Sequence, residues 1–150
     1  MLELLRYPLT LQVRKLSMQK SKSKNTKPEL LVRKALSAWG FRYRIHYKKL
    51  VGTPDIAFPK EKIAVFVHGC FWHQHGNCGF SKPASIPKGW RDQFIKSNKR
   101  DIDNLRTLKQ IGWTPFVLWE CRILESVKEE IEPVIVAVER ARIKNRASNR

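Results

Sequence analysis

The sequence is short of acidic residues, and this shortage is its strongest global signal. It has 13 Asp and Glu against 30 Lys and Arg, which gives a formal net charge of +17. Such a charge attracts a polyanion, most often nucleic acid. Three other kinds of protein carry a similar charge: one with a merely solvated basic surface, a ribosomal protein and a protein of membrane surfaces.

Long apolar segments and paired cysteines are also missing. No apolar run approaches the roughly 20 residues of a membrane-spanning helix, and the opening MLELLRYPLTLQVRKL lacks the apolar core and cleavage site of a signal peptide. The three cysteines, Cys70, Cys78 and Cys121, are an odd number, which argues against a disulfide scaffold and for a reducing compartment. We therefore predict a cytoplasmic protein with no membrane partner.

The chain length sets the predicted domain organisation. A chain of 150 residues suits one domain with a real core, and a hydrophobic fraction of 42% indicates that it folds. Residues 1–25 form a basic leader ending in LSMQKSKSKN, which is predicted to be an N-terminal arm able to order on DNA. Residues 26–150 are predicted to form the single domain.

Hydrophobic spacing and capping residues predict the order of the helices and strands. Thr26 and Glu29 form a capping box at the start of the first helix, and Gly40 ends it. Strands are predicted at 41–47, 55–58, 62–67 and 113–120, and helices at 26–39, 89–111 and 126–144, the last with a kink or restart at Pro133. This order predicts an α/β fold, in which helices flank a mixed sheet and the first three strands form a meander.

The loop at 68–87 contains a cluster of candidate metal ligands. Cys70, His75 and Cys78 lie within nine residues, and Cys121 follows the last strand. Four ligands of this Cys3His type suit a closed tetrahedral zinc ion. Loops as long as 68–87 are uncommon in a compact domain unless something holds them in place. A metal that joins this loop to the end of a strand would stabilise it. The alternative is three buried cysteines and an incidental histidine.

Asp55 and two histidines form a second candidate site. If the strands 55–58 and 62–67 pair as a hairpin, Asp55 lies at the same sheet edge as Val67, and a carboxylate with a main-chain oxygen can hold Mg²⁺. The metal would lower the pKa of a bound water. His68 or His73 could then accept the proton, because histidine titrates near neutrality. Alternatively, Asp55 is a turn carboxylate and His68 a polar loop residue.

Aromatic and basic residues near these sites point to DNA. Phe71 and Trp72 lie in a polar loop, where large exposed aromatics are costly unless they bind something, and an apolar wedge between base pairs opens a mismatched step most easily. Trp39, Trp113 and Trp119 are assigned to packing. The lysines predicted to contact phosphates are Lys20, Lys22, Lys24 and Lys27.

Several motifs, taken in order, resemble the very-short-patch repair (Vsr) DNA mismatch endonucleases. These are SKNTKPELLVRKAL, GTPDIAF, FVHGCFWHQHGNC, a helix from Trp90 to Arg100-Asp101, and GWTPFVLWEC. The resemblance implies a restriction-endonuclease-like fold with a structural zinc, a degenerate relative of the PD-(D/E)xK nucleases. The usual second acidic residue and lysine are absent after Asp55, where the corresponding strand reads AVFVH, so histidine chemistry is expected to replace the lysine.

The resemblance also implies an activity. The expected reaction is a Mg²⁺-dependent nick 5′ to the thymine of a T·G mismatch in double-stranded DNA, the lesion left when 5-methylcytosine deaminates. A cytosine methyltransferase is the expected genetic companion, and mismatch-repair and gap-filling factors are possible partners. The enzyme would act as a monomer on the bacterial nucleoid.

Site residues follow from the same motifs. Asp55 corresponds to the Mg²⁺ carboxylate and Val67 to the main-chain ligand. His73 corresponds to the base, with His68 near the scissile phosphate and Glu29 supporting the site. The residues that match zinc ligands are Cys70, His75, Cys78 and Cys121. The residues that match the intercalating wedge are Phe71, Trp72 and Trp90, with Met18 entering from the opposite groove.

Two other functions stay open at this stage. A non-enzymatic, zinc-stapled DNA-binding module would need neither Asp55 nor His73. A related nuclease without mismatch selectivity would need both residues but would cut matched DNA as well.

Overall fold

The computed structural model describes residues 24–76, 78 and 89–150. In this part of the chain the order of elements is the predicted one. The helices are α1 (Lys27–Ala38), α2 (Trp90–Gln110) and α3 (Glu120–Ser148), and the strands are β1 (Arg44–Ile45), β2 (Ile56–Phe58), β3 (Ile63–His68) and β4 (Thr114–Trp119). The predicted arm at 1–25, with Met18, Lys20 and Lys22, lies outside the described residues except at its last two positions.

The strands form one four-stranded mixed sheet in the order β1-β2-β3-β4. The first three strands pair antiparallel as the predicted meander, and β4 pairs parallel with β3 after the crossover through α2. His68 and Trp119 are partners in the parallel register. The two residues that end β3 and β4 therefore lie side by side at one edge of the sheet.

Helices cover both faces of the sheet. On one face, Val32 and Leu36 of α1 pack with Val134 and Val138 of α3 and with the inward side chains of the strands. On the other face, Leu108 of α2 packs in a second core cluster with Ala64 and Phe66 of β3 and with Leu50. Strand β3 is therefore buried on both sides, which explains its almost continuous apolar sequence.

The start of α1 is built as the sequence predicts, with one shift. The Glu29 backbone N–H donates to the Thr26 side chain at 3.5 Å, and Pro28 lies in the first turn. The Glu29 carboxylate, however, accepts from the backbone N–H of Asn25 at 3.1 Å and from the Thr26 hydroxyl at 3.2 Å. Glu29 therefore closes the helix start one residue earlier than the usual capping box.

Strand β1 is shorter than the predicted 41–47. The backbone enters the left-handed region at His46, where φ is 44°, a conformation that is uncommon for residues other than glycine. Beyond Ile45 the backbone still bonds to its neighbour, because the His46 N–H donates to the Asp55 carbonyl at 3.0 Å. The turn at His46 ends the regular strand and leaves the imidazole next to Asp55.

The predicted kink at Pro133 is wrong. The non-helical backbone within α3 falls at Ser126 (φ −157°, ψ 97°), and α3 already begins at Glu120, directly after β4. The Ser126 side chain accepts the Glu129 backbone N–H at 3.4 Å. The helix therefore restarts at Ser126 because this serine caps the new segment, and Pro133 lies inside it.

In the described ranges, none of the helices has the length and apolar character that a membrane span requires.

Candidate active site and metal centre

Asp55 and Val67 meet at the edge of the sheet, as hairpin pairing predicts. The antiparallel register of β2 and β3 brings them together, and the Val67 backbone N–H donates to Asp55 Oδ2 at 2.7 Å. Burial raises the pKa of Asp55 to about 6, the Val67 N–H opposes this, and the nearby Glu29 charge adds to it. A carboxylate whose charge is this poorly solvated gains most from a cation.

Glu29 faces Asp55 from α1 within a polar network that also includes Arg33 and His46. The Arg33 guanidinium donates to Glu29 Oε2 at 3.0 Å and lies 3.1 Å from His46 Nε2. It also donates to the Asn25 side chain at 2.7 Å. Ligand atoms of Glu29, His46 and Asp55 all lie within 4.8 Å of one another. Arg33 therefore balances the buried Glu29 and ties the base of the arm to this site.

His68 and His73 form a parallel stack, with ring centroids 3.7 Å apart and an interplanar angle of 6°. Burial and, to a smaller extent, the neighbouring His73 charge together lower the pKa of His68 to about 3. His68 is therefore neutral at physiological pH. It can offer an N–H to a phosphate but not a positive charge.

Asp101, from α2, holds the second histidine. His73 Nδ1 lies 2.5 Å from Asp101 Oδ2. Burial raises the pKa of Asp101, but the hydrogen bond and charge of His73 outweigh burial and hold that pKa below its usual range. An imidazole that gives its Nδ1 hydrogen to a carboxylate keeps Nε2 as a proton acceptor, which is the arrangement of an oriented general base.

The predicted Cys3His cluster is assembled. Ligand atoms of Cys70, His75, Cys78 and Cys121 lie within 4.8 Å of one another. His75 Nδ1 lies 3.7 Å from Cys70 Sγ and 3.4 Å from Cys121 Sγ. A tetrahedral zinc with Zn–S near 2.3 Å and Zn–N near 2.0 Å sets ligand atoms roughly 3.5–3.8 Å apart. The four side chains therefore fit a zinc ion.

Protonation of the cluster is consistent with such an ion. Burial raises the pKa of the Cys70 and Cys121 thiols, and burial followed by the charge of Arg122 lowers the pKa of His75. Neutral imidazole is the form that binds metal, and zinc would deprotonate the thiols outright. The Cys70 backbone N–H donates to Glu120 Oε2 at 3.1 Å, which fixes the first ligand from the start of α3.

Trp119 lies between the two groups of side chains. Its indole stacks on His75, with ring centroids 4.1 Å apart and an interplanar angle of 8°, and its ring meets His68 in a T-shaped contact at 5.3 Å. The assignment of Trp119 to packing is confirmed, although what it packs against is the two candidate sites. Trp39, assigned to packing too, is instead 53% exposed.

The aromatic residues expected to contact DNA are only partly accessible. Phe71 is 9% exposed and packs edge-on against Phe94 and Trp72, so the expectation that Phe71 is exposed is wrong. Phe94, from α2, supplies the apolar contact that buries Phe71, which the polar loop alone does not supply. Trp72 and Trp90 are half-buried and stack on each other with centroids 5.5 Å apart. Lys24 and Lys27 are exposed.

Sequence reasoning missed Asp101, Arg33, His46 and Glu120. Asp101 stood in a quoted motif, but it lies 28 residues after His73 and could not be paired with it without the fold. Arg33 carried a local signal, because it lies four residues after Glu29 on the same helix face. His46 carried none.

A buried carboxylate at a sheet edge, a histidine held by a second carboxylate and a strongly basic chain together define a hydrolytic enzyme for a polyanion. Small α/β nucleases are proteins of this class.

Comparisons with known proteins identify the family. A family model described as DNA mismatch endonuclease Vsr matches residues 8–79. The chain is 45% identical over 114 residues to the type II nicking enzyme V.NmeAIP of Neisseria meningitidis, covering 76% of this chain and 81% of that protein. It is 42% identical over 110 residues to V.XorIIP of Xanthomonas oryzae, another type II nicking enzyme, covering 73% and 81%.

A third relative carries the family's name. The DNA mismatch endonuclease Vsr of Escherichia coli is 30% identical over 101 residues, which cover 67% of this chain and 65% of that protein. The chain therefore belongs to the Vsr family, and it is a DNA endonuclease.

Proposed function

We propose that this endonuclease makes a Mg²⁺-dependent nick 5′ to the thymine of a T·G mismatch, in very short patch repair of deaminated 5-methylcytosine on the bacterial nucleoid. The observation that carries the proposal is the proximity of two sets of side chains at one sheet edge. The first set is Asp55 with the Val67 backbone, and the second set is His68, His73 and Asp101.

The residues divide the reaction as follows. Asp55 and the main-chain oxygen of Val67 would bind Mg²⁺, which lowers the pKa of a bound water and stabilises charge on the scissile phosphate. His73 accepts the proton of the attacking water at Nε2 while Asp101 holds its Nδ1 hydrogen. His68 donates a neutral hydrogen bond to the phosphate, and Glu29 completes the acidic side of the site.

Zinc is proposed as the structural cofactor, held by the Cys3His cluster. The ligand spacing supports this, and the ion would fix the loop that carries His68, His73 and the aromatic residues. We propose that residues 26–150 are one endonuclease domain, and that the preceding arm contributes Met18 and basic contacts to DNA.

Mismatch recognition is proposed to come from the aromatic group of Phe71, Trp72 and Trp90. Phe71 is buried in the DNA-free structure, so it would support the stacked Trp72–Trp90 pair from below. These two rings would enter the opened base step. A T·G pair opens more cheaply than a matched pair, which converts the cost of the wedge into selectivity.

A second candidate function is a nick without mismatch selectivity. Relatives named type II nicking enzymes favour it. Cleavage of matched, T·G and T·C duplexes with Mg²⁺ separates the two, with Asp55→Ala as the inactive control and Asp103→Ala as a matched exposed-carboxylate control. Cleavage confined to T·G supports the proposal. Equal cleavage of all three duplexes favours a nick without mismatch selectivity. DNA binding without cleavage favours the non-enzymatic, zinc-stapled DNA-binding module.

A further inference from the structure

Four aromatic rings form a continuous series that runs from the candidate zinc cluster to the candidate base. His75 stacks on Trp119 at 4.1 Å, Trp119 meets His68 edge to face at 5.3 Å, and His68 stacks on His73 at 3.7 Å. The first ring belongs to a zinc ligand, and the last is bonded to Asp101. Trp119 supplies neither a ligand nor a proton, yet it is the only ring that contacts both sites among those described.

The fold fixes this position from two directions. Trp119 is the register partner of His68 in the parallel pair β3–β4, and its backbone N–H donates to Glu130 Oε1 at 3.1 Å. The loop after β3 turns tightly, with the His73 N–H bonded to the Gly69 carbonyl at 3.1 Å and the His75 N–H to the Cys70 carbonyl at 3.0 Å. This turn carries His73 and His75 to the two ends of the series.

Ring contacts of this kind restrict orientation. A parallel stack holds the plane of an imidazole, and an edge-to-face contact holds its tilt. The plane of His75 decides whether Nδ1 faces the sulfur atoms of Cys70 and Cys121, and the tilt of His68 decides the plane of His73. A reorientation of His75 or of His68 can therefore reach the other site only through its contact with the Trp119 indole.

We propose that Trp119 is a positioning residue that couples zinc occupancy to the geometry of His68 and His73. A zinc ion bound by the cluster would hold His75 in its stack on the indole, and the indole holds His68 in the tilt on which His73 stacks. Without the ion, His75 would be free to leave the stack, and the indole would no longer fix the histidine pair. The link to nicking rests on the proposed function, whereas the link to zinc does not.

The test replaces the indole with side chains that differ in whether they present a flat ring. Trp119→Met removes the flat face while filling space with a flexible chain, and Trp119→Phe keeps a face. The matched control is Trp113→Met, which removes an indole from the residue just before the same strand, where it packs on Tyr47. Three quantities are measured on zinc-loaded protein: zinc transfer to a chromogenic chelator, imidazole NMR signals of His68 and His73, and single-turnover nicking at saturating DNA.

We expect Trp119→Met to release zinc at least tenfold faster, to shift the His68 and His73 signals, and to lower the single-turnover rate at least tenfold. We expect Trp119→Phe and Trp113→Met to stay within threefold of the parent in both rates. The proposal is overturned if Trp119→Met releases zinc at the rate of the parent protein, or if its His68 and His73 signals do not move. If Trp119→Met does not fold, the parent protein provides the test: removal of zinc by the chelator should shift the His68 and His73 signals, and signals that stay unmoved when the zinc leaves overturn the proposal.

The proposed function can fail separately. A parent protein that nicks no duplex refutes that function, while zinc release and the histidine signals still decide the role of Trp119.

Discussion

Asp55 accepts a 2.7 Å hydrogen bond from the Val67 backbone N–H, and one hydrogen bond does not replace the water that burial removes. The pKa of Asp55 therefore rises from 3.8 to about 6. Between these two values the folded protein holds more protons than the unfolded chain. By linkage, the contribution of Asp55 to stability is highest below pH 4 and falls as the pH rises to about 6.

Replacement of this carboxyl should therefore stabilise the metal-free protein. We expect Asp55→Asn to gain about 3 kcal/mol of unfolding free energy at pH 7 relative to the parent, and to gain little at pH 4, because the charged form is what costs energy. The same variant should not nick. Urea unfolding at both pH values, in the absence of Mg²⁺, measures the difference. An equal effect at both pH values contradicts the assigned cause.

The affinity for Mg²⁺ should depend on pH through the same group. Below about pH 6 protons compete with the metal for Asp55, so the Mg²⁺ concentration for half-maximal nicking should rise about tenfold for each unit of further acidification. The measurement is a Mg²⁺ titration of nicking at several pH values between 5 and 8. A half-maximal concentration that stays constant below pH 6 shows that Asp55 is not the metal carboxylate.

His73 and Asp101 should act as a pair. We expect His73→Ala to lower the single-turnover nicking rate about 10²- to 10⁴-fold, the usual contribution of a general base, with a folded protein that still binds DNA. Asp101→Asn should lower the rate by at least about tenfold, because the amide no longer holds the Nδ1 hydrogen. Asp103→Asn, on the same helix, is the control. An additive effect in the double variant argues against a shared role.

Zinc removal should affect folding rather than chemistry alone. We expect His75→Ala and Cys121→Ala to lose bound zinc and to melt at lower temperature, since metal affinity contributes to the folding of the loop. A chelator should lower the melting temperature of the parent protein in the same way. Added zinc should restore it in the parent but not in the two variants. Elemental analysis and thermal unfolding measure both. A parent protein purified without zinc, with Cys121→Ala folding normally, excludes the ion.

The basic contacts should set the salt dependence of DNA binding. Alanine at Lys20, Lys22, Lys24 and Lys27 together is expected to lower the slope of log affinity against log salt by about four, or about one for each phosphate contact. Arginine at the same four positions keeps the charge and should keep the slope. Titrations across a range of salt concentrations measure it. An unchanged slope in the alanine protein removes these lysines from the interface.

Local signals were enough to predict much of the fold. Each of these signals depends on a few neighbouring residues. They are the capping residues at Thr26 and Glu29, the apolar runs of the two adjacent strands, and the glycines that end helices. The contact of Asp55 with Val67 followed from hairpin pairing alone, because a short connection leaves few registers. The grouping of Cys70, His75, Cys78 and Cys121 was predicted from their side-chain chemistry, and the structure brings them together.

The rest depended on tertiary packing. His73 and Asp101 are 28 residues apart in sequence, and only the crossover through α2 brings them together. The left-handed turn at His46 is held by two backbone bonds, from the His46 N–H to the Asp55 carbonyl and from the Tyr47 N–H to the Pro54 carbonyl, and no local pattern indicates them. Phe71 was expected to be exposed because its neighbours are polar, whereas Phe94, from a helix beyond the loop, covers it.

The two outer strands of the sheet have a consequence for self-association. Strand β1 has only two residues, carries Arg44 and ends at the left-handed turn of His46. Strand β4, at the opposite side, contains Pro115, which has no backbone N–H to offer. Unpaired strand edges are the places where identical chains join into larger aggregates, and short length, charge and proline each prevent this. We therefore expect the purified endonuclease to remain monodisperse when it is concentrated.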